Sequence, residues 1–273
     1  MIKIFILVFV VLPVLAEEPT SLPTVRVLGE GNEVLTQPGA PQKISKEQME
    51  IFKFTDVNRA LKQSSGVYIR EEEGQGLRPN IGLRGTNPDR SKKVVLLEDG
   101  VLIGPAPYSA PAAYYTPFMG HVESLEVYKG FVAVPYGPNS VGGAINYITR
   151  SIPVERTPKI ELSSGAFATH HVRASMGESK NQWGYLLETS HLSSAGFKEL
   201  DTGADTGFVR QDVLAKFNYK DIELKIGYGN ENSKETYLGL TLQDFDQSPY
   251  RRYAASALDE MQWEHAQVQL AHT

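Results

Sequence analysis

The chain has 273 residues and a formal net charge of −5. An acidic chain of this kind lacks the basic face that nucleic-acid binding requires, so no nucleic-acid partner is expected. The absence of cysteine excludes disulfide bonds, thiolate metal sites and cysteine nucleophiles, so the fold must be held by burial and backbone pairing.

The first residues have the composition of an export signal. Lys3 precedes an apolar run over residues 4–15, and Val14-Leu15-Ala16 provides the small residues that a signal peptidase reads. The apolar run is short for a bilayer span, which makes a retained membrane anchor the less favoured alternative. We therefore predict that residues 1–16 are a signal peptide and that the protein is exported.

Residues 17–42 are rich in Pro, Gly and Glu and poor in large apolar side chains. This composition predicts an extended, mobile segment. A short β-prone island over residues 23–29 interrupts it. From these residues alone, the island is either an ordinary first strand or a strand that adds to the sheet edge of another protein.

Residues 43–150 begin with helical signals. Ser45 and Gln48 have the spacing of a capping box, which predicts a helix. A second helix is predicted from Thr55 to near Gly66. The segment Val67-Tyr68-Ile69-Arg70 then predicts a strand.

Two segments in this region resemble ligand sites but are interpreted as structural. Glu71-Glu72-Glu73 is predicted to be a solvated turn, since consecutive carboxylates cannot converge on one ion without a sharp bend. The glycines from Gly137 to Gly143 lack the Gly-Lys-Ser/Thr ending and the following helix of a phosphate loop. They indicate tight backbone turns instead.

An ordered series of motifs fills residues 82–150. It consists of Gly82-Leu83-Arg84-Gly85, Val94-Val95-Leu96-Leu97-Glu98-Asp99-Gly100-Val101, Val122-Glu123-Ser124-Leu125-Glu126-Val127-Tyr128-Lys129-Gly130 and Tyr136-Gly137-Pro138-Asn139-Ser140-Val141-Gly142-Gly143-Ala144-Ile145-Asn146-Tyr147-Ile148-Thr149-Arg150. This series resembles the plug domain of TonB-dependent outer-membrane receptors. Ala106-Pro107-Tyr108 and the downstream Tyr250-Arg251-Arg252-Tyr253 make the likeness greatest to the ferric dicitrate receptors.

The resemblance implies a role for the β-prone island. It would be the TonB box, with Thr24, Val25, Arg26, Val27 and Leu28 pairing with an edge strand of the periplasmic protein TonB. The other partners implied are the ExbB/ExbD energy-coupling complex, an iron-chelate ligand and outer-membrane lipid. The implied location is the bacterial outer membrane.

Residues 151–273 change to a period of two. Ile222, Leu224, Ile226 and Tyr228 fall on one face of a strand, with polar residues between them. The alternation fits a transmembrane barrel, although a half-buried soluble sheet gives the same pattern. Six strands are predicted, near residues 159–166, 170–178, 183–192, 208–219, 222–233 and 263–272.

The connections between these predicted strands favour the barrel. Short connections near residues 178–182 and 220–221 alternate with long ones near 193–207 and 234–262, which is typical of outer-membrane barrels. Aromatic side chains are available for the girdles at the membrane interfaces. The residues assigned to these girdles are Trp183, Tyr185, Tyr219, Tyr228 and Trp263.

The predicted fold class is an α+β plug domain over residues 43–150, followed by the first strands of an antiparallel transmembrane β-barrel that is incomplete. The receptors it resembles close with about 22 strands. Six strands cannot enclose a plug, and an open edge in lipid leaves backbone groups unpaired. We therefore expect an amino-terminal fragment of a longer receptor, or a truncated gene product.

The resemblance places the ligand on the plug apices beneath the extracellular loops. Arginine suits a ligand with several carboxylates, because its planar fork makes two-point contacts. The residues carried over as ligand contacts are Asn87, Asp89, Arg90, Tyr108, Ser109, Arg251 and Arg252. Arg251 and Arg252 have an alternative role in loop packing, through cation–π contacts with the neighbouring tyrosines. Arg84 and Arg150 are interpreted as buried salt-bridge formers.

No residue pattern indicates catalysis or a bound cofactor, so we predict a transporter and not an enzyme. Ser140 has no His and Asp in a supported triad order. The predicted function is TonB-dependent uptake of an Fe(III) chelate, with ferric citrate favoured. Two alternatives stay open: another ligand, such as haem, cobalamin, a nickel chelate or an oligosaccharide, or a plug-containing product that binds TonB without transport.

Overall fold

The computed structural model describes residues 41–52, 56–71, 73–103 and 115–272. The predicted signal peptide and the predicted TonB box lie outside these described residues, as do Tyr108 and Ser109. Within the described residues, no helix is long and apolar enough to cross a membrane.

The first part of the chain forms a mixed sheet with short helices. Its elements are β1 (Gln42–Ile44), α1 (Lys46–Phe52), α2 (Val57–Leu61), β2 (Val67–Arg70), β3 (Asn80–Leu83), β4 (Val94–Glu98), β5 (Val101–Leu102), β6 (Val122–Lys129) and β7 (Gly143–Thr149). The sheet has the order β1-β6-β7-β4-β5, while β2 and β3 form a separate antiparallel pair. Only β4 and β7 pair in parallel within the five-stranded sheet.

Side-chain caps determine where the two helices begin. Ser45 and Gln48 form the predicted capping box, with Gln48 Oε1 accepting from Ser45 N at 2.9 Å and Ser45 Oγ accepting from Gln48 N at 3.3 Å. The second helix is shorter than predicted. Asp56 caps it by accepting from Arg59 N at 2.8 Å, and a left-handed Gly66 (φ 74°) leads the chain into β2.

The core of this domain lies around the three central strands of the sheet. β4 is buried along its whole length, and Leu125, Val127 and Ile145 are fully buried beside it. The close approach of β6 and β7 requires Gly143, because a Cβ atom there would lie 2.1 Å from the Tyr128 carbonyl oxygen. The glycine segment is therefore a packing feature, as the sequence indicated.

The second part of the chain is a six-stranded antiparallel sheet. Its elements are β8 (Lys159–Gly165), β9 (Thr169–Lys180), β10 (Trp183–Ser194), β11 (Glu199–Leu200), β12 (Phe208–Tyr219), β13 (Ile222–Ser233), α3 (Leu242–Gln247), β14 (Arg251–Arg252) and β15 (Met261–His272). The long strands have the order β15-β13-β12-β10-β9-β8. β11 and β14 form a short parallel ladder in the connections.

The two ends of this sheet differ in their connections. The turn end carries two-residue connections at 181–182 and 220–221. The loop end carries the long connections, which we name loop A (residues 195–207) and loop B (residues 234–260). On β12 and β13, alternate side chains point towards the first domain, and these inward positions are mostly buried and polar.

The aromatic assignments need one correction. Trp183 and Tyr219 are exposed on the outward face at the turn end, where a girdle was predicted. Trp263 faces inward instead, and its ring meets Tyr115 of the first domain edge-on at 5.7 Å. Because β15 begins at Met261 and keeps the alternation of its neighbour β13, the odd-numbered positions of this strand face the first domain.

Candidate functional site

The turn that follows β3 is held by its own side chains and carries three of the predicted ligand contacts. Asn87 Oδ1 accepts from Asp89 N at 3.0 Å, and Asn80 Oδ1 accepts from Arg90 N at 2.7 Å. These bonds hold Arg90 in the left-handed region, with φ 50°. The turn thus fixes the backbone of Arg90, and the long cationic side chain of this residue extends away from the turn.

Asp89 is already paired within the domain. Its carboxylate meets Arg70 at 3.3 Å and Lys92 at 2.9 Å. The hydrogen bond from Lys92 is the main reason that the pKa of Asp89 lies below its usual value. The negative charge of Asp89 is therefore compensated, and it repels an approaching anion less than a free carboxylate would.

Arg90 reaches loop B, because its guanidinium lies 5.9 Å from the centre of the Tyr237 ring. Both residues line a cavity of about 530 Å³ at the loop end. Among the described residues, no carboxylate lies within ion-pair distance of Arg90. Arg90 is thus half-buried and fixed, and its charge has no acidic partner in the part of the chain that the structure describes.

The acidic residues of this cavity have other partners. Glu235 meets Arg78 at 3.6 Å, and Asp259 accepts from the Thr236 hydroxyl at 2.6 Å. Glu260 pairs with Lys234. Arg90 is therefore a cation of this cavity that is available to an anionic ligand.

Arg251 joins the two loops. Its guanidinium contacts both oxygens of Asp201 in loop A, at 2.9 and 3.2 Å, and Asp244 in loop B at 2.8 Å. It also lies 5.0 Å from the centre of the Tyr253 ring. This is the cation–π contact that was predicted as an alternative to ligand binding. These contacts hold the loops together next to the β11–β14 ladder.

Arg252 is 3% exposed and is bonded to the backbone of loop B. Its guanidinium donates to the carbonyl oxygens of Ser256 and Asp259, at 2.5 and 3.1 Å, and also to that of Lys234. These bonds satisfy most of its donors within the loop. Arg252 therefore shapes the loop, and its contact with a ligand stays a prediction.

The structure brings some of the predicted contacts near one another. Arg251 and Arg252 line a second cavity of about 420 Å³, which shares Thr236 and Leu238 with the cavity that contains Arg90. The three arginines thus lie on the two sides of one stretch of loop B. Asn87 is exposed, and its side-chain oxygen is used within its own turn.

The sequence analysis missed an ionic cluster between the first domain and the sheet. Lys225 on β13 donates to Glu98 at 2.5 Å and to Asp99 at 2.6 Å, and only 2% of its side chain is exposed. Gln267 on β15 also bonds Glu98, at 2.7 Å. Lys216 lies 3.8 Å from Asp99. We call these five residues the wall cluster.

A second buried network lies nearer the loop end. Arg210 pairs with Asp212 at 3.0 Å and donates to the Thr116 carbonyl oxygen at 2.7 Å. Arg78 of the first domain meets Glu231 on β13 at 2.5 Å. Each buried charge has an opposite partner, as burial requires.

The two arginines interpreted as salt-bridge formers behave differently. Arg150 meets Glu188 at 3.4 Å, and Arg173 meets the same carboxylate at 3.6 Å, so the interpretation holds for Arg150. Arg84 is exposed and forms no ion pair among the described residues. Its guanidinium lies beside Gly130, where a Cβ atom would be 2.5 Å from Nη1.

The acidic triplet after β2 is corrected in part. Glu73 is 5% exposed rather than solvated, and its carboxylate accepts from the backbone N–H groups of Leu77 and Arg78. Glu71 pairs with Lys62 at the surface. A carboxylate that caps a turn was not visible in the sequence, because its donors come from residues four and five positions later.

Glu235 provides a pH-dependent contact at the base of loop B. Burial, opposed by Arg78, raises the pKa of Glu235 to about 7, and its side chain is 7% exposed. The folded state therefore favours the protonated form, and stability falls as pH rises from about 4.5 to 7. We expect the melting temperature of the protein to fall from pH 5 to pH 8 relative to that of Glu235→Gln. Parallel profiles would contradict this prediction.

The comparisons with known proteins agree with this geometry. A family model described as TonB-dependent Receptor Plug Domain matches residues 33–144. The chain is 28% identical over 178 residues to the vitamin B12 transporter BtuB of Vibrio vulnificus, covering 64% of this chain and 28% of that protein. For BtuB of Photobacterium profundum, the identity is 26% over 179 residues, covering 63% and 28%. The chain spans less than a third of the length of these relatives.

Solved structures share the fold. The ferric citrate transporter FecA in its unliganded form matches with a TM-score of 0.72 and 23% identity, covering 88% of this chain and 38% of that chain. The ferric yersiniabactin uptake receptor FyuA of Yersinia pestis matches with a TM-score of 0.59 and 18% identity, covering 73% and 32%. The predicted fold class is confirmed: an α+β domain that the plug model matches is followed by antiparallel strands, with the same fold as the corresponding part of these solved structures.

Proposed function

We propose that this chain, which has the plug domain and barrel strands of the TonB-dependent receptor class, forms part of an outer-membrane receptor that takes up an iron chelate, with ferric citrate as the ligand. The observation that carries the proposal is the position of Arg90. Its charge is presented at the loop end and fixed by its turn, and no carboxylate of the described residues lies within ion-pair distance of it. An anionic chelate supplies the missing partner.

Uptake in this proposal breaks no bond in the ligand. The chelate binds outside, between Arg90 and loop B, and TonB pulls on the segment over residues 23–29 from the periplasm. The contacts of Glu98 and Asp99 with the barrel strands in the wall cluster then break, so that a path opens. Binding and opening are linked through the different affinities of the ligand for the two plug states.

A second ligand class has support from one finding. The two curated relatives are vitamin B12 transporters, so cobalamin is the alternative cargo for this chain. The cationic Arg90 favours the anionic chelate over this alternative. The two ligands are distinguished by measuring both in one binding assay.

Arg90→Ala is expected to weaken ferric citrate binding at least tenfold, because a charge-assisted hydrogen bond contributes about 1.5–3 kcal/mol. The matched control is Arg156→Ala, which removes an exposed arginine ahead of β8. The measurement is a titration of the native protein and both variants with ferric citrate and with cyanocobalamin. Unchanged affinity for ferric citrate in Arg90→Ala would remove Arg90 from the site, and tight binding of cyanocobalamin alone would favour the second ligand.

A further inference from the structure

On β10, β12, β13 and β15, the outward face of the six-stranded sheet changes from mostly apolar to mostly polar at one level. Strand register places His191, Gln211, Asn230 and Glu264 side by side in one outward row, which Val172 of β9 and Leu162 of β8 continue. The next row towards the loop end contains His170, Ser193, Asn232 and Gln262, together with Val209. We call the eight polar residues of these two rows the polar belt.

On the same four strands, the outward rows on the turn side of the polar belt are mostly apolar. The row directly below contains Thr189, Val213, Tyr228 and Ala266. Below it lie exposed apolar side chains, which include Leu187, Phe217, Ile226, Val268 and Leu270. The lowest row ends in the exposed aromatic rings of Trp183 and Tyr219. The apolar surface thus has a lower aromatic boundary and a sharp upper boundary at the polar belt.

The apolar surface is short for a bilayer. Six residue steps separate Trp183 from Thr189, which is about 20 Å along a strand and about 15 Å in height at a tilt near 45°. Outer-membrane barrels carry an apolar band about 25 Å tall. In a membrane of that thickness, the polar belt would face hydrocarbon unless headgroups of the outer leaflet reach down to it.

The chemistry of the polar belt indicates which headgroup it meets. Its four amides, Gln211, Asn230, Asn232 and Gln262, each offer a donor and an acceptor, as a sugar hydroxyl does. Neither row contains a lysine or an arginine, so the belt lacks the cations that recognise phosphate best. His191 lies 3.5 Å from Gln211 across the strands, which leaves the outer edges of both side chains for further bonds.

From this arrangement we infer that the polar belt binds the sugar headgroup of an outer-leaflet glycolipid. The apolar surface below it holds the acyl chains of the same lipid, so the two contacts are continuous. This inference rests on the proposed outer-membrane location. It adds a lipid-recognition surface on the outside of the sheet, away from Arg90 and the plug.

The test uses the purified native protein in detergent, titrated with lipid A, dephosphorylated lipid A and phosphatidylglycerol. Bound lipid is counted by native mass spectrometry. The belt variant is Gln211→Leu with Asn230→Leu, two neighbours in one row. The control is Thr189→Leu with Ala266→Leu, which adds apolar volume to the row below.

We expect both forms of lipid A to bind alike and more tightly than phosphatidylglycerol. The belt variant should bind both forms about tenfold more weakly, because two hydrogen-bonding side chains are lost, and the control should bind normally. Unchanged binding by the belt variant would overturn the inference. Loss of binding on dephosphorylation would also overturn it, since phosphate would then be the recognised group.

Two further readouts separate this inference from its rivals. The first is the oligomeric state, measured by sedimentation. If the native protein is a dimer and the belt variant is a monomer, the polar belt binds a second copy of the chain, and the lipid assignment is overturned. Ferric citrate binding is measured on the same samples. If ferric citrate binds normally but lipid A does not, the assignment of the polar belt to a glycolipid is wrong and the proposed ligand is retained. If lipid A binds but ferric citrate does not, the proposed ligand is wrong and the glycolipid assignment is retained.

Discussion

Lys225→Met is expected to destabilise the packing of the plug against the barrel strands by about 3–5 kcal/mol, the cost of breaking a buried ion pair. The ammonium group of Lys225 forms ion pairs with both Glu98 and Asp99. Burial opposes ionisation of Glu98, and the charge of Lys225 holds the pKa of that carboxyl below its usual value. Methionine fills a similar volume but leaves two carboxylates in a buried site with less compensation.

Hydrogen exchange of the β4 and β7 amides measures this effect, because Glu98 is the last residue of β4 and β7 pairs with β4. The control is Lys62→Met, which removes an exposed pair with Glu71 and should cost no more than about 1 kcal/mol. Adding Glu98→Gln and Asp99→Asn to Lys225→Met should recover part of the protection, since the uncompensated charges are gone. Equal protection in Lys225→Met and in the control would show that the wall cluster does not hold the plug.

Val27→Pro is expected to reduce uptake to background while ferric citrate still binds normally. A proline removes a backbone N–H and fixes φ, so it interrupts the strand that the proposed TonB box adds to a TonB edge. Val27→Ala keeps the N–H group and serves as the control. The measurement is uptake of radiolabelled ferric citrate by cells, together with binding at low temperature. Normal uptake by Val27→Pro would remove the TonB-box assignment.

The strands could be predicted from the sequence where side-chain alternation met a short turn. β12 and β13 were predicted with their observed bounds, because Lys220-Asp221 joins two segments of period two. The start of β15 was placed two residues late, at Trp263 rather than Met261, because no turn residue marks the end of loop B. Local pattern also could not show that Trp263 faces the plug.

The contacts between distant segments could not be predicted. Glu98 and Asp99 were visible as part of a motif, and Lys225 as part of a polar strand face. Their pairing joins residues 126 and 127 positions apart, which no local pattern encodes. Arg252 illustrates the same limit, since its acceptors are backbone carbonyls that only the folded loop brings together.

The predicted ligand contacts also differ in whether their partners within the protein could be predicted. Arg90 was carried over as a ligand contact from the resemblance, and the structure places it against loop B at Tyr237. Arg251 has the right chemistry for a carboxylate ligand but meets the carboxylates of Asp201 and Asp244 within the protein. The chemistry of a residue type can be read from the sequence, whereas its partner depends on the fold.

We propose that the protein takes up an iron chelate by energised transport. The most direct test is accumulation of radiolabelled ferric citrate by iron-starved cells that carry the native protein as their receptor, with and without functional TonB. We predict accumulation that depends on TonB and is lost in Arg90→Ala at low ligand concentration. Equal accumulation without TonB, or no accumulation despite intact protein in the outer membrane, would contradict the account.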